Sequence, residues 1–225
     1  MATDLIAEKR IAAEAAVAMV KDAQVVGLGT GSTAEFAVKA IAERVKQGLQ
    51  IKGIPTSDNT AQMARQLGIP LIDINSIDTI DITIDGADEF TEQLHLIKGG
   101  GGALLKEKIV ASKTTQQIII ADSSKHVAFL GKFKLPVEVI PFASRYVMAQ
   151  LAKLGGDGVV RQVNGQPFIT DEGNVIIDAD FKKISDPVAL SDALNGIVGV
   201  VEHGLFTGLA QQVIMGHEGG VKIFR

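Results

Sequence analysis

The chain has 225 residues, with 22 Lys+Arg, 26 Asp+Glu and a formal net charge of −4, a length that suits one large domain or two small ones. A 46% hydrophobic and 21% charged composition argues against disorder, and an acidic balance with 4% aromatics and no basic run leaves no footprint for nucleic acid. The lack of cysteine removes disulfides, thiolate metal sites and cysteine nucleophiles, and no apolar run approaches the ~20 residues of a membrane span.

Residues 4–20 read as an Ala-rich helix, with Leu5, Ala12, Ala16 and Val20 on one face and Thr3 or Asp4 as its cap. The charged start of this segment is unlike a signal peptide, which predicts a soluble cytoplasmic protein. Residues 24–28 form a short apolar run, as in a buried strand. Gly29-Thr-Gly-Ser-Thr33 follows it, and a helical pattern runs over residues 34–45. Strands are predicted at residues 51–54, 70–74, 80–84 and 117–121, with helices at 59–67 and 103–112. Such alternation points to an α/β layer with a mostly parallel sheet. The pattern changes after Gly131. A strand at residues 136–140 and a helix at 143–153 precede a strand at 159–163, paired with 168–170 and 175–178 around a turn at 171–174. A helix at 187–194 and a strand at 198–201 complete a small α+β unit. Strands at 210–215 and 221–224 are placed back in the first layer.

Three segments have the residue types of a reactive site. In Gly29-Thr-Gly-Ser-Thr33, glycines let backbone N–H groups approach an anion at a helix start, and Ser32 and Thr33 add hydroxyls. The bland alternative is a tight turn capped by Ser or Thr. The segment lacks the third glycine of a dinucleotide fingerprint and the lysine of a P-loop. In Asp85-Gly-Ala-Asp-Glu89, two acids three residues apart follow a strand, where α/β sheets hold ligands; the alternative is an Asx turn. In Lys98-Gly-Gly-Gly-Gly102, four glycines can form a nest of N–H donors for an oxyanion, with Lys98 beside it; the alternative is a flexible loop. Glu107, placed near the second turn of the next helix, is a candidate base, against the reading of a solvated Lys-Glu-Lys face. Lys125 follows the strand at 117–121, which can bring it to the same sheet edge and a phosphate; the default reading is a surface lysine. The four histidines lack metal-ligand spacing, and no G-x-S-x-G elbow is present.

These segments, with Ala121-Asp-Ser-Ser-Lys125, Leu130-Gly-Lys-Phe-Lys-Leu-Pro-Val-Glu-Val-Ile-Pro141 and Asp171-Glu-Gly-Asn-Val175, resemble type A ribose-5-phosphate isomerase, in order over nearly the whole chain. Lys106 is a mild departure, standing where arginine is expected in many relatives. The resemblance implies interconversion of D-ribose 5-phosphate and D-ribulose 5-phosphate in the pentose phosphate pathway, with no redox cofactor and no obligatory metal. It implies that Thr30, Gly31, Ser32, Thr33 and Lys125 hold the phosphate, with Lys9 assisting. Asp85, Gly86, Ala87, Asp88 and Lys98 would meet the sugar, with Asp85, Asp88 and Lys98 handling ring opening and hydroxyl proton transfer. Gly99, Gly100 and Gly101 would face the enediolate oxygens, and Glu107 would be the general base. With the change of pattern after Gly131, the expected division is a Rossmann-like domain of residues 1–130 plus 206–225 and a smaller α+β, ferredoxin-like domain of residues 131–205. A homodimer or homotetramer is implied. The rival readings are a non-catalytic sugar-phosphate sensor, a CoA transferase-like enzyme with a glutamyl nucleophile, and a dehydrogenase, the last disfavoured by the poor nucleotide fingerprint.

Overall fold

The computed structural model describes residues 4–225. Thr3, one of the two expected caps, lies outside them. Asp4 caps α1 (Leu5–Val17) by accepting the Ile6 and Ala7 N–H groups. There follow β1 (Val25–Leu28), α2 (Ala34–Lys46), β2 (Lys52–Pro55), α3 (Asp58–Gln66), β3 (Ile80–Gly86), β4 (Glu89–Phe90), β5 (Leu96–Ile97), α4 (Leu104–Ser112) and β6 (Thr114–Asp122). The next stretch contains β7 (Leu135–Val139), α5 (Ser144–Lys153), β8 (Asp157–Val160), β9 (Gln162–Val163), β10 (Gln166–Pro167), β11 (Val175–Asp180), α6 (Pro187–Asn195) and β12 (Val200–His203). The chain then adds β13 (Leu205–Phe206), β14 (Gln212–His217) and β15 (Gly220–Phe224).

Six strands form the main sheet in the order β15-β14-β6-β3-β1-β2. All neighbours are parallel except the β14–β15 hairpin. The chain leaves β1 toward β2 on one side and returns to β3 on the other. Loops after β1 and β3 therefore diverge and open a crevice, the usual ligand position in such sheets. The inner strands β1, β3, β6 and β14 are buried along most of their length, as in a sheet covered on both faces, whereas the edge strand β15 is largely exposed. Val26, Ile82, Ile118 and Ile214 pack with Ala12 and Ala16 of α1 and Ile41 of α2. Alanine lets α1 lie close, and at Gly216 a Cβ would collide with the Glu8 carbonyl.

The strands β12-β7-β11-β8 form a second, antiparallel sheet. With α5 and α6 as crossovers, the order is the βαββαβ of ferredoxin-like units. Its core joins Val137, Val139, Val147, Leu151, Ile177 and Leu194. A three-stranded sheet, β13-β5-β4, ties the chain after β3 to the chain leaving β12. Its two-residue strands are too short for any periodicity to announce.

Two expected strands are absent. Residues 70–74 make only a Gly53–Leu71 bridge. Pro70 has no N–H to donate, and the Asp73 carboxylate takes the Asn75 N–H at 2.8 Å, turning the chain into a short 3₁₀ segment. Residues 168–170 likewise make only an Ile169–Val175 bridge. The local hairpin is β9–β10, turned by Asn164 and Gly165 at φ 52° and 77°, the asparagine-glycine signal of a tight hairpin.

Candidate active site

The crevice at the ends of β1 and β3 has a cavity volume of about 80 Å³ and opens to solvent. It is lined by the loop after β1, residues 86–88, residues 98–101, Glu107 and Lys125. Thus Thr30, Gly31, Ser32, Thr33, Gly86, Ala87, Asp88, Lys98, Gly99, Gly100, Gly101, Glu107 and Lys125 come together around one crevice. Asp85 and Lys9 stand behind this lining.

The loop after β1 is held from below. The Gly29 N–H donates to the Ile84 carbonyl at 3.0 Å, and a Cβ on Gly29 would stand 2.5 Å from the Asp85 Cα. The Thr30 N–H donates to Asp85 Oδ1 at 3.0 Å, and its hydroxyl bonds Thr56 (2.7 Å) and Ser57 (2.8 Å). Gly31 takes φ 99°, which favours glycine. Thr33 makes no side-chain cap bond to α2. The N–H groups of Gly31, Ser32 and Thr33 have no acceptor among the described residues. Receptive N–H groups at a helix start suit an anion. Two cations flank them. Lys9 reaches from α1 to donate to Ser32 Oγ at 2.9 Å, and stands 3.8 Å from Asp122. Lys125 sits on the short turn Ser123–Lys125, anchored where the Ser123 N–H donates to Glu8 at 2.8 Å.

The opposite wall holds a buried charge cluster. Lys98 is 2% exposed, and its Nζ lies 2.9 Å from Asp85 Oδ2 and 3.4 Å from Glu107 Oε1. It also donates to the Gly86 carbonyl at 2.5 Å. Burial opposes the Lys98 charge, but Asp85 and Glu107 outweigh it and hold the ammonium above its ordinary range. Asp85 is wholly buried, and its other oxygen also accepts the Gly86 N–H at 2.7 Å. It therefore braces the lysine and the anion loop from behind. Asp88 accepts the Gly100 N–H at 2.7 Å, and the space beside Gly100 is filled by that carboxylate.

Glu107 lies in the first turn of α4, not the second, and is buried rather than solvated. Its neighbours on the helix go elsewhere. Lys106 bridges Asp58 (2.9 Å) and Glu172 (3.1 Å), and Lys108 pairs with Glu202 at 2.6 Å. Burial pushes the Glu107 carboxyl up to about 8; Lys98 opposes the rise, while Asp85 and Asp88 add to it. One oxygen, Oε2, is buried without a hydrogen-bond partner among the described residues. A carboxylate with one braced and one free oxygen is poised to exchange a proton with a ligand.

Four contributors escaped the sequence reading. Thr56, Ser57 and Thr60 form the hydroxyl cluster under Thr30. Their signal was available, since Ser57 caps α3 just past the end of β2. Arg161 touches the glycine loop from the second sheet, donating to the Gly99 and Gly100 carbonyls. A lone arginine 59 positions after Gly102 gives no local signal.

Fold and crevice together define a Rossmann-like α/β protein with a site suited to a small anionic ligand. The comparisons narrow that class. A family model described as ribose 5-phosphate isomerase A (phosphoriboisomerase A) matches residues 52–220. Ribose-5-phosphate isomerase A of Sphingopyxis alaskensis is 52% identical over 91% of this chain and 90% of its own. That of Bacillus cereus is 51% identical over 95% and 98%. The ribose 5-phosphate isomerase A structure from Methanocaldococcus jannaschii superposes with a TM-score of 0.92, at 43% identity, covering 96% and 97% of the two chains. A D-ribose-5-phosphate isomerase in complex with phospho-erythronic acid gives 0.95, at 39% identity over 98% and 99%. The chain belongs to the ribose 5-phosphate isomerase A family.

Proposed function

We propose that this chain interconverts D-ribose 5-phosphate and D-ribulose 5-phosphate through an enediolate, with Glu107 as the general base. The observation that carries this reading is the free, buried Glu107 Oε2 beside a lysine and across the crevice from unpaired N–H groups. Aldose–ketose exchange moves a proton between C2 and C1. A single carboxylate lifts the proton from one carbon and returns it to the next, a contribution of typically ~10²–10⁴-fold. The electron pair then resides on an oxyanion, and loss of one preorganised donor to such a group costs ~2.7–4 kcal/mol.

In this reading Gly31, Ser32, Thr33 and Lys125 hold the phosphate, and Lys9 supports Ser32. Lys98 and Asp88 meet the sugar oxygens and serve ring opening and hydroxyl proton transfer. Asp85 acts through Lys98 and Thr30, because it is wholly enclosed. Of the three glycines, Gly100 already donates to Asp88, so Gly99 and Gly101 supply the oxyanion donors. The phosphate grip is remote from the reacting carbons, and its binding energy orients the open-chain sugar. The reading includes the pentose phosphate pathway, a cytoplasmic location and a homodimer or homotetramer. It also keeps the division into residues 1–130 plus 206–225 and residues 131–205; one core centres on Ile82 and another on Ile177, the second also taking in Ile97 and Leu130.

The test is conversion of ribose 5-phosphate by the purified, chelator-treated chain, with Glu107→Gln alongside. The expected result is turnover by the wild type and almost none by the variant, which still binds substrate. A folded variant with near-normal turnover removes Glu107 from the chemistry. A folded wild type without turnover removes the isomerase reading itself.

A further inference from the structure

The glycine loop is gripped from the second sheet. Arg161 sits between β8 and β9, and its Nε and Nη2 donate to Asp178 on β11 at 3.0 and 2.6 Å. This two-point pairing fixes the plane of the guanidinium. The remaining Nη1 donates to the Gly99 carbonyl at 3.0 Å and the Gly100 carbonyl at 3.1 Å. Phe168 lies with its ring centroid 5.8 Å from the guanidinium carbon and fills the space where Gly102 would carry a Cβ.

The consequence follows from peptide geometry. In a planar trans peptide the C=O and N–H point in opposite directions. The Gly99 carbonyl turns to Arg161, and the Gly100 N–H of the same plane turns away, to Asp88 at 2.7 Å. The Gly100 carbonyl also turns to Arg161, so the Gly101 N–H is directed away from it, on the crevice side. That N–H has no acceptor among the described residues. Four consecutive glycines have many alternative conformations. Two carbonyls tied to one fixed guanidinium select among them.

We propose that Arg161, locked by Asp178 and backed by Phe168, is a positioning residue for catalysis: it sets the peptide planes at residues 99–101 so that the Gly101 N–H meets the developing oxyanion. This rests on the isomerase reading above. It also gives the second sheet a part in the reaction, although Arg161 does not touch the substrate.

The experiment pairs kinetics with amide hydrogen exchange on the full chain. Arg161→Ala is expected to lower kcat by ~10²-fold, as small displacements of catalytic groups do. KM should stay within ~2-fold, since the phosphate grip is intact. Added guanidinium should restore part of kcat, and amides of residues 99–102 should exchange faster while those of β1 and β3 keep wild-type rates. Arg161→Lys keeps the charge but loses the fork, so it should fall between the two, and it serves should the alanine variant not fold. Unchanged kcat in a wild type that isomerises overturns the proposal. So does a loss of kcat with no rescue and with exchange raised throughout the second sheet, which marks a merely structural role. A wild type that does not isomerise overturns the parent reading instead, and exchange at residues 99–102 still reports separately whether Arg161 holds the loop.

Discussion

Glu107 has two unlike oxygens, one 3.4 Å from Lys98 and one without a partner. Its environment governs a pH dependence whose sign can be worked out. As the proposed base, Glu107 must be ionised to accept a proton, and burial pushes its carboxyl up to about 8. Activity is therefore expected to rise with pH along a limb centred near 8, read from kcat/KM against pH. Lys98 lowers that value, so residual activity in Lys98→Gln should titrate at still higher pH. The same shift acts on stability with the opposite trend. The folded chain holds this proton more tightly than the unfolded chain, so the contribution is full below pH 4.5 and is lost as pH rises through 8. Melting temperatures of wild type and Glu107→Gln should accordingly diverge between pH ~5 and ~9, with the wild type losing ground. The sequence made Glu107 a candidate through its place after a glycine run and through the family resemblance. Its burial could not be read there, because Lys106, Glu107 and Lys108 look alike as a solvated face until each side chain finds its own partner.

At the scale of elements, the strand-loop-helix units were legible because glycine and apolar runs punctuate them sharply. The loop after β1 shows why. Gly29 passes so close to β3 that a methyl group would enter the Asp85 backbone. Gly29→Ala is expected to cost about 1–3 kcal/mol, as overpacking in a tight site does, measured by urea unfolding. It should also cost activity, since Asp85 Oδ1 anchors the Thr30 N–H. A variant with wild-type stability would show that β1 and β3 can part freely. What stayed illegible was pairing at long range. The two-residue strands β4, β5 and β13 carry no pattern of their own: β4 pairs with the nearby β5, Glu89 with Ile97, and β5 is held on its other side by β13, Leu205 with Ile97, from far along the chain. The strands expected at 70–74 and 168–170 failed for the reverse reason. Their apolar pattern was present, but Pro70 in one case and the Asn164-Gly165 turn in the other redirected the hydrogen bonds.

For the whole molecule, a net charge of −4 coexists with a crevice flanked by Lys9, Lys98 and Lys125. Lys9 and Lys98 have carboxylate neighbours, while Lys125 has none among the described residues. In the proposed function its field is the one left to meet an incoming phosphate. Lys125→Ala is expected to raise KM with little change in kcat. Raising salt from ~0.05 to ~0.5 M should raise the wild-type KM by screening the same attraction, and should affect the variant less. Equal salt dependence in both would assign the attraction to other groups. The sheet order carries a further consequence, for synthesis of the chain. Strand β6 ends at Asp122, yet its parallel neighbour β14 begins only at Gln212. On a ribosome, the entire antiparallel unit emerges while one side of β6 has no strand beside it, and an open edge invites pairing with another chain. The apolar surface awaiting Val213, Met215 and Phe224, which includes Phe90 and Ile119, stays uncovered over the same interval. The nascent chain thus passes through a long sticky stage that only its final hairpin closes, and premature termination before residue 212 yields a polypeptide prone to clump rather than a smaller enzyme.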